Sequence, residues 1–236
     1  MSASAKAIQA ELKRLSNQTD AKFLQGYFRT GPGQYGEGDR FRGIRVPVLR
    51  QLARKHSDAT LDTSLDLLES EFHEDRLLAL LMMVRLYDRG DERMRKKIYD
   101  SYLASTGRIN NWDLVDLSAP GIVGRHLMTR SRRPIHRLSA SKSLWERRIA
   151  VLSTFYFIKE KEFDDSLAVA TRLLDDREDL IHKAVGWMLR EIGSRDGKVA
   201  RGFLREHQRV MPRTMLRYAI EKFPEAERKS YLKGVA

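Results

Sequence analysis

Trp112 and Asp116 are the pair of residues whose types and spacing most favour chemistry. They lie four positions apart, so in a helix their side chains share one face and are one turn from each other. Asn111 is a suitable N-cap residue, which places both side chains in the first turns of that helix. A carboxylate beside an indole favours a site that stabilises positive charge. Packing is the alternative role for the tryptophan, and helix capping accounts for the neighbouring Asp113.

Trp145 and Trp187 are the remaining tryptophans, and both fall in later helical segments. A large aromatic residue at helical spacing usually packs in a core, and Trp145 is predicted to do so. Trp187 follows Gly186, and a glycine allows another group to approach the backbone closely. We therefore take Trp187 as the second aromatic candidate for the site.

Apolar residues recur with the 3.6-residue period of an α-helix along most of the chain, and no alternating run of β-branched residues competes with it. Asp20 is predicted to cap the second helix, and Pro47 is suited to the first turn of the third. Later helices are predicted at about 61–69, 73–88, 91–104, 111–127, 133–140, 143–158, 163–174, 178–194, 197–207, 212–222 and 225–233. The one long connection, 30–46, is rich in glycine.

The helices also repeat along the chain. Leu77, Trp112, Arg148 and Lys183 lie in successive helices at intervals of 35, 36 and 35 residues, with a shorter helix predicted between neighbours. Helix pairs of this length are typical of solenoids in the size range of TPR and HEAT-type repeats, and TPR consensus residues are not evident. The sequence therefore predicts an all-α fold, a single domain over residues 1–236. We expect a curved solenoid whose equivalent helices line one concave face.

The chain is strongly basic, with a formal net charge of +12 and a pI of about 10.0. Eight basic residues and a single acid fall between Arg125 and Arg148. A second cluster surrounds the glycine-rich segment. A third lies within the C-terminal helical segments, where Pro212 is predicted to interrupt a helix. These two clusters comprise Arg40, Arg42, Arg45, Arg50, Arg54 and Lys55, and Arg201, Arg205, Arg209, Arg213 and Arg217. Clustered charge of this size indicates a polyanionic partner, and solvated helix faces are the alternative.

Composition excludes several kinds of site. The chain has no cysteine, so it has no disulfide, thiolate zinc site or cysteine nucleophile. Its six histidines are scattered without the spacing of a metal site, and nothing indicates a cofactor. No apolar run approaches the roughly 20 residues of a membrane span, and the charged N-terminal segment is unlike a signal peptide. We expect a cytoplasmic protein that uses no metal and no cofactor and does not associate with membranes.

Four segments together resemble the AlkD family of bacterial DNA glycosylases, which are built from HEAT-like helical repeats. The segments occur in the family's order, cover most of the chain and are 43–50, 112–116, 145–148 and 183–191. The resemblance implies that Trp112, Asp116 and Trp187 form a cleft against the damaged nucleotide, with Asp116 as the catalytic carboxylate. It also implies that Arg148 lies beside that carboxylate and the DNA backbone. The further residues expected to contact DNA are Tyr27, Arg45, Arg50, Lys183 and Arg190.

The resemblance implies a monomeric enzyme that removes cationic N3- or N7-alkylated purines from double-stranded DNA. We expect it to be monofunctional, because no lysine is evidently placed as a Schiff-base nucleophile, and to work in the bacterial nucleoid. Two alternatives remain open. A non-catalytic DNA-binding scaffold of the same fold would use the tryptophans and the aspartate for packing and capping, and a protein-binding solenoid would have acidic partners instead of DNA.

Overall fold

A computed structural model describes residues 3–234, which form helices joined by turns and contain no strand beyond an isolated bridge between Arg40 and Phe72. The chain divides into two compact units, Met1–Ser118 and Ala119–Ala236. The first contains α1 (Ala5–Arg14), α2 (Gln18–Tyr27), α3 (Val46–Lys55), α4 (Leu61–Leu68), α5 (His73–Arg89), α6 (Glu92–Ala104), a 3-10 turn (Thr106–Arg108) and α7 (Trp112–Asp116). The second contains a π-helical turn (Pro120–Gly124), α8 (Arg125–Leu127), α9 (Arg133–Ser139), α10 (Leu144–Lys159), α11 (Asp164–Arg172), α12 (Asp179–Gly193), α13 (Gly197–His207), α14 (Arg213–Ala219) and α15 (Glu225–Lys233).

Helix α5 is the centre of the first unit. It contacts α3, α4, α6 and α7, and every residue from His73 to Met83 is buried. Its run 77–83 is apolar on all sides, so it must be enclosed by neighbouring helices. Each leucine buried there contributes about 1.5–3 kcal/mol relative to an exposed one. Packing on α5 therefore fixes the position of α7, the helix that carries Trp112 and Asp116.

The long glycine-rich segment is fastened to the N-terminus of α5. Glu74 accepts hydrogen bonds from the backbone N–H groups of Arg42 (2.8 Å), Gly43 (2.8 Å) and Ile44 (3.1 Å). The guanidinium of Arg42 also forms a two-point ion pair with Asp75, at 2.6 and 2.9 Å. A carboxylate that accepts backbone N–H groups supplies the partners that buried donors require. These contacts give the end of the segment one defined conformation.

Gly43 is the position in this segment that is least able to carry a side chain. Its φ is +79°, and a Cβ would lie 2.0 Å from the carbonyl oxygen of Asn17. We expect Gly43→Ala to lower the free energy of unfolding by about 1–3 kcal/mol, because conformational strain and a backbone clash add together. Gly33 has a similar φ of +73° but open space around it, so Gly33→Ala is the matched control. Equal urea unfolding midpoints for the two variants would contradict the close approach at Gly43.

Helices α10 and α12 form the centre of the second unit. Helix α10 contacts α9, α11 and α12, and α12 contacts α13 and α14. Two buried glycines bring backbones together: a Cβ on Gly124 would lie 2.2 Å from the Ser153 carbonyl oxygen of α10, and one on Gly186 2.5 Å from the Met215 carbonyl oxygen of α14. The group that approaches the backbone at Gly186 is therefore α14, and this glycine serves helix packing.

The predicted all-helical fold is confirmed, and so is the interruption at Pro212, since α13 ends at His207 and α14 begins at Arg213. The prediction of one continuous helix over 111–127 is wrong. The chain turns after Asp116, and Pro120, which has no N–H to donate, opens a π-helical turn.

Two local predictions also need correction. Asn17, not Asp20, caps α2, because its side chain accepts a hydrogen bond from the backbone N–H of Asp20 at 3.0 Å. The helix between those of Leu77 and Trp112 was predicted to be the shorter one, but α6, which lies there, has 13 residues, whereas α7, the helix of Trp112, has five. A single solenoid domain over 1–236 stays a prediction. None of the helices in residues 3–234 is long and apolar enough to cross a membrane.

Candidate active site

Trp112 belongs to an aromatic cluster that fixes the orientation of its ring. The ring stacks on Phe28 with centroids 5.2 Å apart and meets Tyr27 edge-on at 6.2 Å. Its indole N–H donates to the hydroxyl of Tyr35, a residue of the glycine-rich segment. Phe28 stacks in turn on Phe41 at 5.0 Å. Since such aromatic pairs contribute about 0.5–1.5 kcal/mol each beyond their buried area, the half-buried Trp112 ring is held in place.

A buried network of charged and polar side chains lies next to this cluster. His73 is at its centre, with Nδ1 3.1 Å from Asp39 Oδ2 and Nε2 2.9 Å from Asp113 Oδ2. Asp39 also accepts hydrogen bonds from Arg76 Nη2 at 2.5 Å and from Asn111 Nδ2 at 2.9 Å. All five side chains are buried. The network therefore joins the glycine-rich segment, the N-terminus of α5 and the start of α7.

The two carboxylates of the network hold His73 in its imidazolium form. Burial alone lowers the pKa of His73, but the charges and hydrogen bonds of Asp113 and Asp39 raise it to about 9. In this form both ring nitrogens donate, one to each carboxylate. The ring also lies 4.9 Å from Phe28 and stacks on Phe41 at 4.7 Å. His73 thus links the charged network to the aromatic cluster that positions Trp112.

Asp116 is the last residue of α7, half-buried and one helical turn from Trp112. Tyr102 lies within electrostatic reach of its carboxylate, and the Tyr102 hydroxyl is 2.8 Å from Ser118 Oγ. Burial raises the pKa of Tyr102, and the negative charge of Asp116 raises it further. Asp116 is therefore a partly exposed carboxylate on the tryptophan's face of α7, beside a tyrosine that stays neutral.

Exposed aromatic rings extend the cluster towards solvent. Tyr27 is 56% exposed, and Phe23, one turn earlier on α2, is 67% exposed and stacks on it at 6.0 Å. Exposed rings of this kind offer faces on which a nucleobase can stack. Of these residues only Tyr27 was predicted from the sequence; Phe23, Tyr35 and His73 were not. The four-residue spacing of Phe23 and Tyr27 was a usable signal, whereas nothing local marked the other two.

Trp187 lies in the second unit, on α12, and is half-buried. Its Nε1 donates to Glu191 Oε1 at 3.1 Å, and its ring lies 5.9 Å from that of Phe155 in a tilted arrangement. Glu191 also pairs with Arg195 at 2.8 Å. These contacts restrain the indole. That Trp187 acts together with Trp112 stays a prediction.

Lys183 and Arg190 share the face of α12 that carries Trp187, since the three residues are spaced at i, i+4 and i+7. Lys183 pairs with Asp179 at 2.7 Å, and Arg190 pairs with Glu221. Both pairs are partly exposed, and exposed ion pairs contribute only about 0–1 kcal/mol. A DNA phosphate can therefore compete for either cation at small cost.

Arg148 is placed differently from the other predicted DNA-binding residues. It is 5% exposed, and its Nη1 donates to the carbonyl oxygen of Leu180 at 2.6 Å. Because Arg148 belongs to α10 and Leu180 to α12, this hydrogen bond braces one helix against the other. The arrangement favours a positioning role for Arg148 over direct contact with phosphate.

Arg45 and Arg50 are exposed residues of the first unit. Arg45 stands at the N-cap position of α3 and makes a two-point ion pair with Asp20, at 3.1 and 3.3 Å. Its side chain is 75% exposed, so solvent screens this pair. Arg50 lies further along the same helix. Both side chains are accessible to a polyanion.

The basic cluster between Arg125 and Arg148 carries less available charge than its sequence indicates. Arg132 pairs with Asp165 at 2.7 Å and with Glu162, and Arg147 pairs with Asp176 at 2.6 Å. These acids come about 30 residues later in the chain and so were invisible in the local composition. Part of this cluster therefore joins neighbouring helix pairs instead of facing a partner.

Comparisons with known proteins identify the family to which this chain belongs. The family model for DNA alkylation repair enzymes matches residues 8–223. A solved structure described as a predicted DNA alkylation repair enzyme from Enterococcus faecalis has a similar fold, with a TM-score of 0.69 and 15% sequence identity over 89% of this chain and 97% of that chain. No curated protein matches the sequence. The chain therefore belongs to the family of DNA alkylation repair enzymes.

Proposed function

We propose that the protein is a monofunctional DNA glycosylase that hydrolyses the N-glycosidic bond of N3- or N7-alkylated purines in duplex DNA. The observation that carries the proposal is the arrangement on α7, where Trp112 is fixed by stacking and Asp116 lies one turn away. Family membership supports DNA as the substrate, and the net charge of +12 favours binding to it.

A single carboxylate is sufficient for this substrate class. Most glycosidases use two carboxylic groups, one of which protonates the leaving group. Alkylation at N3 or N7 makes the purine cationic, so the base leaves neutral when it takes the electrons of the C1′–N bond. No acid is needed for that step. The carboxylate of Asp116 stabilises the positive charge that develops on the sugar, and water then adds to C1′ and releases a proton.

Trp112 contributes an aromatic face to the same charge. A cation over an aromatic ring gains about 0.5–2 kcal/mol, most when water is excluded. The stacking of Trp112 on Phe28 fixes the orientation of this face before DNA binds. Tyr27, exposed and edge-on to Trp112, contacts the DNA strand beside the lesion in this proposal. Selectivity in this scheme comes from the charge of the lesion.

The remaining predicted site residues, which lie in both units, have supporting roles in the proposal. Trp187 supplies a second indole, and Lys183 and Arg190 contact backbone phosphates from the same face of α12. Arg45 and Arg50 contact phosphates from the first unit. Arg148 keeps α10 and α12 in register through Leu180. The scheme uses water as the nucleophile and needs no cofactor, so the product strand carries an intact abasic site.

Release of free bases from duplex DNA treated with dimethyl sulfate tests the proposal. The wild-type protein is expected to liberate 3-methyladenine and 7-methylguanine, detected by mass spectrometry, and to leave alkali-labile sites. The same DNA without protein corrects for spontaneous loss. Binding to the methylated duplex without any protein-dependent release would overturn the glycosylase assignment in favour of a non-catalytic DNA-binding scaffold.

A further inference from the structure

The glycine-rich segment places a tyrosine beside the candidate active site that has no part in the scheme for base release. Tyr35, near the middle of this segment, is half-buried, and its hydroxyl accepts the indole N–H of Trp112. Tyr27 and Asp113 are within electrostatic reach of the same hydroxyl. Tyr35 therefore belongs to the immediate surroundings of Trp112, although the two residues are distant in sequence.

The backbone next to Tyr35 packs closely enough to fix the position of this side chain. The N–H of Gly36 donates to the carbonyl oxygen of Arg29 at 3.2 Å, and a Cβ on Gly36 would lie 2.4 Å from the carbonyl oxygen of Phe28. Only a glycine allows so close an approach between two backbones. Phe28 is also the residue on which Trp112 stacks. The close approach at Gly36 therefore brings Tyr35 to the indole ring.

Hydrogen bonds fasten both ends of the segment. The side-chain amide of Gln25, on α2, donates to Thr30 Oγ1 at 2.8 Å and to the Asp39 carbonyl oxygen at 2.7 Å. Thr30 Oγ1 donates in turn to the Gln25 carbonyl oxygen at 2.9 Å. The carboxylate of Asp39 accepts from His73 and Asn111 in the buried network. The segment is thus a closed loop held by α2 and by the network.

Stacking on Phe28 does not by itself define the full position of the Trp112 ring. Phe28 covers one face, at an interplanar angle of 16°, so only the opposite face can meet a damaged nucleotide. Two stacked rings can slide over each other, because several offset arrangements are similarly favourable. A hydrogen bond needs its donor, hydrogen and acceptor close to one line. The contact with Tyr35 is therefore able to define how the indole lies across Phe28.

We propose that Tyr35 is a positioning residue for base release, which holds the uncovered face of Trp112 in register with the sugar of the damaged nucleotide. The inference rests on the proposed function and deepens it. Burial raises the pKa of Tyr35, so its hydroxyl is uncharged at neutral pH and offers a lone pair to the indole N–H. Tyr35 acts only through Trp112, as a neighbour that keeps a site residue in its productive geometry.

Tyr35→Phe tests the inference, because it removes the acceptor and keeps the ring. Single-turnover release of 7-methylguanine from duplex DNA should fall by about 10-fold, since a displaced indole attracts the sugar cation less. The affinity for the same duplex should change by less than about 2-fold, because the lost contact lies within the protein. The matched control is Tyr231→Phe, which should release base at the wild-type rate. It removes a buried hydroxyl whose charged neighbours are Glu227, Arg201 and Arg205.

The hydrogen bond also has a readout that does not depend on activity. The chain has three tryptophans, so the ¹⁵N-labelled protein gives three indole N–H signals in its NMR spectrum, and Trp112→Phe identifies one of them. Loss of the acceptor in Tyr35→Phe should move the Trp112 signal upfield and leave those of Trp145 and Trp187 in place. General loosening of the fold would instead affect all three signals.

The outcomes distinguish this inference from the proposed glycosylase. If the wild-type protein releases no base, both the proposed function and the inference are refuted. If the wild-type protein is active and Tyr35→Phe releases base at the same rate, only the inference is refuted. An unchanged Trp112 signal in Tyr35→Phe would refute it as well, because the hydroxyl would then not hold the indole. Equal losses of rate in Tyr35→Phe and Tyr231→Phe would also refute it, since the effect would not depend on Trp112.

Discussion

Asp116→Asn is expected to slow release of 7-methylguanine from duplex DNA by about 10²–10³-fold, while the affinity for that DNA stays close to that of wild type. The amide keeps the size and shape of the carboxylate but removes its negative charge. The charge is needed only when the sugar becomes cationic, so its loss affects the chemical step more than binding. Single-turnover release and equilibrium binding, measured on the same methylated duplex, separate the two effects.

A matched control for this experiment is Asp100→Asn. Asp100 belongs to the same unit, is 52% exposed and pairs with Lys96 at 2.5 Å, so the variant removes one negative charge from an exposed ion pair that involves neither Trp112 nor Asp116. Its release rate should equal that of wild type. If Asp116→Asn released 7-methylguanine at the wild-type rate, the carboxylate would have no part in the reaction. An equal loss in both variants would point to net charge instead of a specific site.

His73→Gln is expected to lower the free energy of unfolding by about 3–5 kcal/mol, because it breaks a buried charged network. The substitution removes a buried cation that bridges Asp39 and Asp113 and leaves two buried carboxylates with one fewer partner. The midpoint of urea unfolding measures the loss. His136→Gln is the control, because His136 also pairs with an acid, Asp165, but has a side chain that is 39% exposed.

The same interaction makes stability depend on pH in a defined direction. The pKa of His73 is raised from 6.5 to about 9, so folding favours the protonated ring. Its contribution is complete below pH 6.5 and is lost as the pH rises through 9. The shift corresponds to on the order of 3 kcal/mol. Wild type should therefore lose more stability than His73→Gln between pH 7 and pH 10, and parallel losses would show that His73 is not an imidazolium in the folded protein.

The helical architecture was accessible from the sequence because it depends on short-range periodicity. Helix α12, with Lys183, Trp187 and Arg190 on one face, was predicted correctly from its spacing. The break after Asp116 was missed because the apolar pattern continues through it. Pro120, the tenth residue of the predicted helix, and Gly121 after it were the signals of the change, since a proline inside a helix kinks or ends it.

The charged network was not accessible, because its members are distant in sequence. Asp39, His73 and Asp113 lie in three different elements and meet only through the packing of α5. Asp113 was explained as a helix-terminal acid, and its side chain does accept a hydrogen bond from the Leu114 N–H at 2.9 Å. Its second role, as a partner of a buried imidazolium, required the tertiary structure.

The number of basic residues was likewise evident from the sequence, but which of them are already paired with acids was not. Arg147 was one of eight basic residues in a nearly acid-free stretch, yet it is paired with Asp176. Arg217 and Arg228, by contrast, are exposed and line a cavity of the second unit in which basic residues outnumber acids. Linear composition indicates a polyanionic partner, and ion pairs between helices decide which cations remain for it.

Comparison of a cationic with a neutral lesion tests whether base release depends on the positive charge of the damaged purine. Two duplexes of identical sequence carry either 7-methylguanine or hypoxanthine at one position, and single-turnover release of each base is measured with wild-type protein. With one carboxylate on the tryptophan's face and no acid assigned to the leaving group, we expect release of 7-methylguanine and no release of hypoxanthine above the rate without protein. Release of both bases at comparable rates would contradict it, since a neutral purine must be protonated in order to leave.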